Sequence, residues 1–260
     1  MLKATFTKGS WFLYLFLLMI LTAAGSPDQN TSLQDSIQEP GDTAVDLNTI
    51  DSLQAAAPKM QLNKQASAFA KDFVKSNRET LQKVEERSKH YFDMIDSVFT
   101  KYDLPVELKY LAVIESKLKP TAVSRCGAVG LWQFMPSTAK TVGLKISNKY
   151  DERKYSHRST VAAAKYLRKL HNEFGDWLLV IAAYNAGPGN VYKAIKRSGS
   201  RDFWKLQYHL PKETRLHVKR FIGTHYYFEE EASLVVLTKT ETTSYLNITQ
   251  TNTVEKTVEK

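Results

Sequence analysis

The run Trp177–Asn185, WLLVIAAYN, constrains this chain more than any other stretch. Gly175 stops whatever precedes it, Asp176 is placed to cap it, and Gly187-Pro188-Gly189 breaks it. A helix over these residues is apolar nearly all round, so no face of it suits water and other elements must enclose it. It finishes in Tyr184 and Asn185, which carries two polar groups into the interior. Two readings stay open for that pair: satisfied core hydrogen bonding, or part of an internal site.

The enclosing elements are also helical by pattern. Phe69, Phe73, Leu81 and Val84 mark one helix, starting near Ser67; Tyr91, Phe92, Ile95, Val98 and Phe99 mark a second, ending at Tyr102. Ser159 is expected to cap a helix through Phe174 built on Val161, Ala162, Ala163, Ala164, Tyr166, Leu167 and Leu170. Another runs from Asn190 to about Lys196, and a last one opens at Pro211 and continues through Val218, Phe221 and Ile222 towards Phe228. No alternating strand stands out before residue 234. The expected fold class is all-α.

One helix in this set carries a charge where a core residue belongs. Leu104–Ser116 reads as helical, with Asp103 as its cap and Pro105 in its first turn. Leu108, Leu111, Ala112 and Glu115 share one face, which is apolar except for the Glu115 carboxyl in the last turn. Burial disfavours its charged form and the carbonyl end of a helix repels an anion, so both raise its pKa. A carboxylic acid kept protonated near neutral pH is what general acid catalysis needs. Pairing with Lys117 or Lys119 is the plain alternative. Beyond it, Pro120 is expected to end the helix, Gly127 and Gly130 to bend the chain, and Gly130-Leu131-Trp132-Gln133 to set an aromatic beside an amide before a helix near Pro136. Acid, Gly-shaped loop and Trp132/Gln133 pair suggest a cleft.

The ends differ from this body. Lys3 and Lys8 precede the apolar run Trp11–Ala24, followed by Gly25, the plan of a secretory signal over 1–25. At about 14 residues it is short of the roughly 20 that span a bilayer, and an uncleaved anchor through 11–24 is the alternative. No Cys near Ala24 offers a site for lipid attachment. Residues 26–66 are polar, acidic and Pro-interrupted, a linker; 232–260 are Thr-rich, expected to be mostly disordered or to pair as a short hairpin. The asparagines of Asn30-Thr31-Ser32 and Asn247-Ile248-Thr249 fit the glycosylation pattern by chance.

Cys126 is the only cysteine, so no intramolecular disulfide forms, and it reads as a small packed residue. No histidine spacing suggests a metal site, and no cofactor is expected. The net charge of +9 is uneven: +2 in the leader, −4 in 26–66 and none in the tail, which leaves +11 on 67–231. A basic body suits an anionic polymer or an envelope surface. Nucleic acid would also satisfy the charge, but export argues against it.

The run Ile114-Glu115-Ser116, Pro120, Ala122, Ser124, Gly127-Ala128, Gly130-Leu131-Trp132-Gln133 and Thr138-Ala139 resembles the catalytic domain of lytic murein transglycosylases. Ala182-Ala183-Tyr184-Asn185-Ala186-Gly187-Pro188-Gly189-Asn190 is similar to that family's second motif. Ser159-Thr160, Ala162-Ala163-Ala164, Tyr166-Leu167, Leu210-Pro211 and Glu213-Thr214 point to its membrane-bound D branch. The resemblance covers 67–231 and implies a goose-lysozyme-like helical domain, which cleaves the β-1,4 bond between N-acetylmuramic acid and N-acetylglucosamine. It implies Glu115 as the single catalytic acid, Ser124 as a partner of that acid or of the sugar, Gln133 as the amide of the glycan groove, and Tyr184 and Asn185 beside the acid. Ser116 and His217 are supporting candidates.

Two motifs depart from the family pattern. His217-Val218-Lys219 stands where tyrosine, valine and proline are usual, so His217 is a substitute donor unless Tyr226 or Tyr227 reaches in; Tyr155-Ser156 replaces a common aspartate-proline pair. No peptidoglycan-binding LysM module is expected in the tail. The leader points to an exported protein of the periplasm or cell envelope, with an inner-membrane anchor as the alternative, and a monomer is expected; the resemblance implies action on peptidoglycan strands, closing a 1,6-anhydro ring rather than adding water. A hydrolytic muramidase with Asp151 or Glu152 holding a water, and a decayed glycan-binding protein, are the rival readings.

Overall fold

A computed structural model describes residues 59–258, with side chains described over 59–251. The leader, and the linker as far as residue 58, lie outside the described residues. Among those described, no helix is long and apolar enough to cross a membrane.

The elements in chain order are α1 (Lys64–Ser88), α2 (Phe92–Lys101), a 3-10 turn (Val106–Lys109) leading into α3 (Tyr110–Ser116), α4 (Pro136–Thr141), the strands β1 (Ile146–Ser147) and β2 (Tyr150–Asp151), α5 (Ser156–Phe174), α6 (Trp177–Ala186), α7 (Pro188–Ser198), α8 (Phe203–Leu206), α9 (Lys212–Glu229) and α10 (Lys239–Val258). The strands form one antiparallel pair, Ile146 opposite Asp151 and Ser147 opposite Tyr150. The fold is all-α apart from this short pair.

Helix α6 occupies the centre, as its composition demands. Leu178, Leu179, Val180, Ile181, Ala182 and Ala183 are fully buried, and α5, α7 and α9 pack round it. Each of its large aliphatic side chains gains roughly 1.5–3 kcal/mol from leaving water. Its ends follow the expected chemistry: Gly175 takes the left-handed conformation after α5 (φ 63°), and Asp176 accepts from the Leu179 N–H at 3.1 Å. Helix α9 bridges α1, α3 and α6. It meets α1 so closely at Gly223 that a Cβ there would lie 2.5 Å from the Phe73 ring.

Several boundaries differ from the sequence expectation, each for a local reason. Asp103 does not cap the acid-bearing helix; it is left-handed (φ 54°) and ends α2 instead. Leu104 N–H donates to Phe99 C=O (3.0 Å) and Asp103 N–H to Thr100 C=O (3.1 Å), a Schellman motif sealed by the buried Leu104 and Phe99. The segment after it therefore starts as a 3-10 turn, and α3 is only seven residues long. Helix α3 stops at Ser116, before Pro120, because Lys117 and Leu118 are both left-handed (φ 57° and 58°), which turns Leu118 into the core. Helix α5 begins at Ser156, so Ser159 lies buried one turn inside rather than at the cap. Helix α1 opens at Lys64, where Asn63 Oδ1 accepts from Ala66 N–H (2.9 Å).

The tail is the main correction. The sequence of 232–260 suggests a mostly disordered or hairpin tail, yet Val235, Val236 and Leu237 are buried and α10 follows. The missed signal is Thr238-Lys239-Thr240-Glu241, a capping box. Glu241 Oε2 accepts from Thr238 N–H (2.7 Å), and Thr238 Oγ1 accepts from Glu241 N–H (3.3 Å). Asn63 Nδ2 donates to Glu241 Oε1 (3.0 Å), and Lys239 N–H to Asp176 Oδ2 (2.7 Å), so the same turn joins the starts of α1, α6 and α10.

Candidate active site

Glu115 is the last residue but one of α3, with its side chain 15% exposed. Its neighbour Ser116 fixes the helix end: Ser116 Oγ lies 3.1 Å from Ala112 C=O and 2.9 Å from Leu131 C=O, and accepts from Lys119 N–H at 3.2 Å. Ser116 is a brace between α3 and the following loop. Lys117 and Lys119 are exposed, and neither pairs with Glu115.

The loop from Ala122 to Phe134 is folded on itself through paired bridges, Val123 with Val129 and Val129 with Phe134. Ser124 Oγ accepts from Ala128 N–H (3.0 Å). Gln133, left-handed at φ 46°, donates from Nε2 to Gly130 C=O (2.8 Å) and Ala122 C=O (3.3 Å). Behind the loop, Arg153 donates to the carbonyls of Gly127 and Phe134, each at 3.0 Å. Gly130 is required here: its φ is 91°, and a Cβ would sit 2.0 Å from Arg153 C=O. Ser124 and Gln133 thus shape the loop, and among the described residues neither bonds to Glu115.

Trp132 does not line a cleft. It is fully buried, its Nε1–H donates to Thr160 Oγ1 (3.0 Å), and its ring lies 5.5 Å from Phe99. Its contribution to the site is its carbonyl, which accepts from Tyr184 Oη at 2.8 Å. Tyr184 comes from the end of α6; burial first, and then the Glu115 charge, raise its phenol pKa. Asn185 Oδ1 accepts from Thr214 Oγ1 (2.9 Å), tying α6 to α9. Cys126 is exposed rather than packed. Tyr227 bonds outward to Glu85 (2.7 Å) and does not reach the acid.

Helix α9 brings the supporting candidate His217 to the acid and adds Glu213, which the sequence showed only as part of a motif. His217 Nε2 stands 3.4 Å from Glu115 Oε1. Glu115 is pushed up to about 8, first by burial and then by the negative charge of Glu213. Glu213, one turn before His217, is exposed and held by Arg220 (2.8 Å). Burial, aided by Arg220, drives His217 down to about 4. Between these values the acid and the imidazole are both uncharged.

The two carboxylates considered as water-holding bases are engaged elsewhere. Asp151 receives Arg153 Nε (2.9 Å) and Nη2 (2.8 Å), and this pairing holds its pKa below the usual carboxylate value. Glu152 is buried and accepts from Lys145 N–H (2.7 Å), Tyr150 Oη (2.9 Å) and Arg158, which lowers its pKa too.

Residues 94–207 match the family model described as Transglycosylase SLT domain. The chain is 41% identical over 152 residues to membrane-bound lytic murein transglycosylase D of Escherichia coli (strain K12), a match covering 56% of this chain and 33% of that protein. A membrane-bound lytic murein transglycosylase C from Haemophilus ducreyi is 32% identical over 138 residues, covering 47% of this chain and 37% of that one. Among solved structures, the 70 kDa soluble lytic transglycosylase from Escherichia coli superposes with a TM-score of 0.50 at 27% identity, over 58% of this chain and 26% of that one. The chain therefore spans about a third of the length of the first relative, and about a quarter of the superposed structure.

Proposed function

We propose, from the premise that residues 94–207 carry a transglycosylase SLT domain, that this chain is a peptidoglycan lytic transglycosylase of the cell envelope. Its substrate is the β-1,4 bond between N-acetylmuramic acid and N-acetylglucosamine. The observation that carries the reading is Glu115: a carboxyl raised to about 8 by burial, in the stretch that matches the family.

Glu115 gives its proton to the glycosidic oxygen as positive charge develops at the muramic anomeric carbon. Most glycosidases place a second carboxylate opposite the first. Asp151 and Glu152 are committed to Arg153 and Arg158, and the exposed Glu213 to Arg220, so the substrate's own acetamido oxygen supports the cation. The Glu115 carboxylate then takes the proton of the 6-hydroxyl, whose oxygen closes on the anomeric carbon as a 1,6-anhydro ring. No water is consumed, and Glu115 ends protonated as it began.

Tyr184, whose phenol burial keeps neutral, and Asn185 stand on the α6 side of the acid. Ser124 and Gln133, held in the Gly130 loop, form the glycan wall. The basic body suits the anionic envelope polymer.

Two measurements on purified sacculi test this. Glu115→Gln keeps size and hydrogen bonding but has no proton to give, so turnover falls by at least about a hundredfold. Muropeptides released by the unaltered protein carry anhydro ends, one water lighter than hydrolytic products. Hydrated reducing ends would instead identify a muramidase, and binding without release a glycan-binding protein.

A further inference from the structure

The imidazole of His217 is an unexplained feature of the interior. Its side chain is 6% exposed. Its Nε2 is closed off from solvent and has no hydrogen-bond partner among the described residues. That nitrogen nevertheless stands 3.4 Å from Glu115 Oε1, which is beyond a good hydrogen bond. No other donor bonds to the Glu115 carboxyl among the described residues. Once the acid has delivered its proton, the new carboxylate would be left in a largely buried site without a partner, which is costly.

We propose that His217 carries its hydrogen on Nε2 and donates it to the Glu115 carboxylate as that group ionises during sugar-bond cleavage. It is a positioning residue for the acid and does not touch the sugar; the proposal rests on the reading of Glu115 as the proton donor.

The geometry favours this direction. With the carboxyl protonated, the contact is slack. As negative charge grows on Oε1, the 3.4 Å gap closes to a charge-assisted hydrogen bond. The interaction is then stronger in the transition state than in the ground state, which is the only kind that speeds the chemical step. With the hydrogen on Nδ1 instead, two lone pairs would face each other across the gap and oppose ionisation. When Glu115 recovers a proton from the 6-hydroxyl, the contact slackens again, and His217 gains and loses nothing over the cycle.

The surroundings keep the imidazole a neutral donor. Arg220 and Glu213 flank it on its own helix and bond to each other at 2.8 Å. Glu115 faces it from α3, and on α6 the Tyr184 hydroxyl is committed to Trp132 C=O. Where α1 packs on α9, it sets Phe73 against Gly223 and Phe69 beneath the Lys219 ammonium. Burial and the Arg220 charge together disfavour a second proton on the ring.

Two experiments decide it. In ¹⁵N-histidine-labelled protein near pH 6, His217 should show a protonated Nε2 and an unprotonated Nδ1; the opposite tautomer overturns the proposal without reference to activity. In kinetics on solubilised glycan strands, His217→Phe should lower kcat roughly ten- to a hundredfold with KM within about twofold. It should also move the alkaline limb of the pH profile upward, because a donor that favoured the carboxylate is gone. His217→Gln, which offers an amide N–H near the same place, should restore most of kcat and return the limb. Equal losses in the two variants, or an unmoved limb in His217→Phe, sink the idea. If Glu115→Gln kept full activity, the transglycosylase reading itself would fail, while the tautomer would still report on His217.

Discussion

Glu115 costs the fold stability wherever its carboxyl would otherwise ionise. A carboxyl whose folded pKa is about 8, against an ordinary 4.5, stabilises nothing by ionising. Its neutral form is fully accommodated below pH 4.5, and stability is lost as pH rises from there through 8. Glu115→Gln removes that loss. Its melting temperature should therefore exceed that of the unaltered protein at pH 8, by an equivalent on the order of 2–4 kcal/mol, and match it near pH 4. His217 and His225, lowered to about 4 and about 3 by burial, act oppositely and cost stability as pH falls below 6.5. The difference between the two proteins isolates the acid. At this scale the sequence was informative where periodicity decides: an acid at the spacing of Leu108, Leu111 and Ala112 had to face the interior. It was silent where distance decides. Nothing in the pattern around Glu213 links it to Glu115; its field there follows from the docking of α9 on α3. An aromatic beside an amide looks like a sugar site, yet the Trp132 ring fills the core beside Phe99 and its carbonyl accepts from Tyr184.

Among the elements, α6 was the most legible, since a helix with no polar face has one kind of home and Gly175 and Asp176 mark its start. The stretch before Glu115 was less so. Asp103 is an acceptable N-cap by type, but Leu104 and Phe99 gain more by sealing the end of α2, and that choice shortens α3. Helix α9 carries a device that no pattern shows: Gly223 lets α1 approach. In an open helix, Gly→Ala stabilises by about 1 kcal/mol. Here the new Cβ meets the Phe73 ring at 2.5 Å and its Cβ at 3.1 Å, so overpacking outweighs propensity. Gly223→Ala should lower stability by roughly 1–2 kcal/mol in denaturant unfolding, and should slow turnover as well, because the same helix carries His217 and Thr214. A stabilised, fully active variant would show that α1 and α9 yield to each other easily.

Across the whole molecule, the C-terminal segment joins parts that lie far apart in sequence. The Thr238–Glu241 turn bonds to Asn63 at the start of α1, and Lys239 N–H to Asp176 at the start of the central helix. Composition alone suggested a loose tail, because Thr is common there and the helix it forms has little amphipathic character; the capping box was the signal to weigh. Thr238→Ala removes both hydrogen bonds of the Thr238 hydroxyl, the one accepted from Glu241 N–H and the one donated to Glu241 Oε2, and should cost about 0.5–2 kcal/mol in thermal or denaturant unfolding. No change in stability would mean that α10 is held by other contacts. Helices α5, α7 and α9 enclose α6, and α9 also packs on α3, so the Glu115 carboxyl is held at a largely buried position that favours its proton. That proton can be observed. In ¹³C-glutamate-labelled protein, with the Glu115 carboxyl signal assigned by its loss in Glu115→Gln, the titration midpoint should fall near 8. A midpoint near the ordinary 4.5 would mean that Glu115 is a solvated carboxylate at neutral pH, with no proton to give.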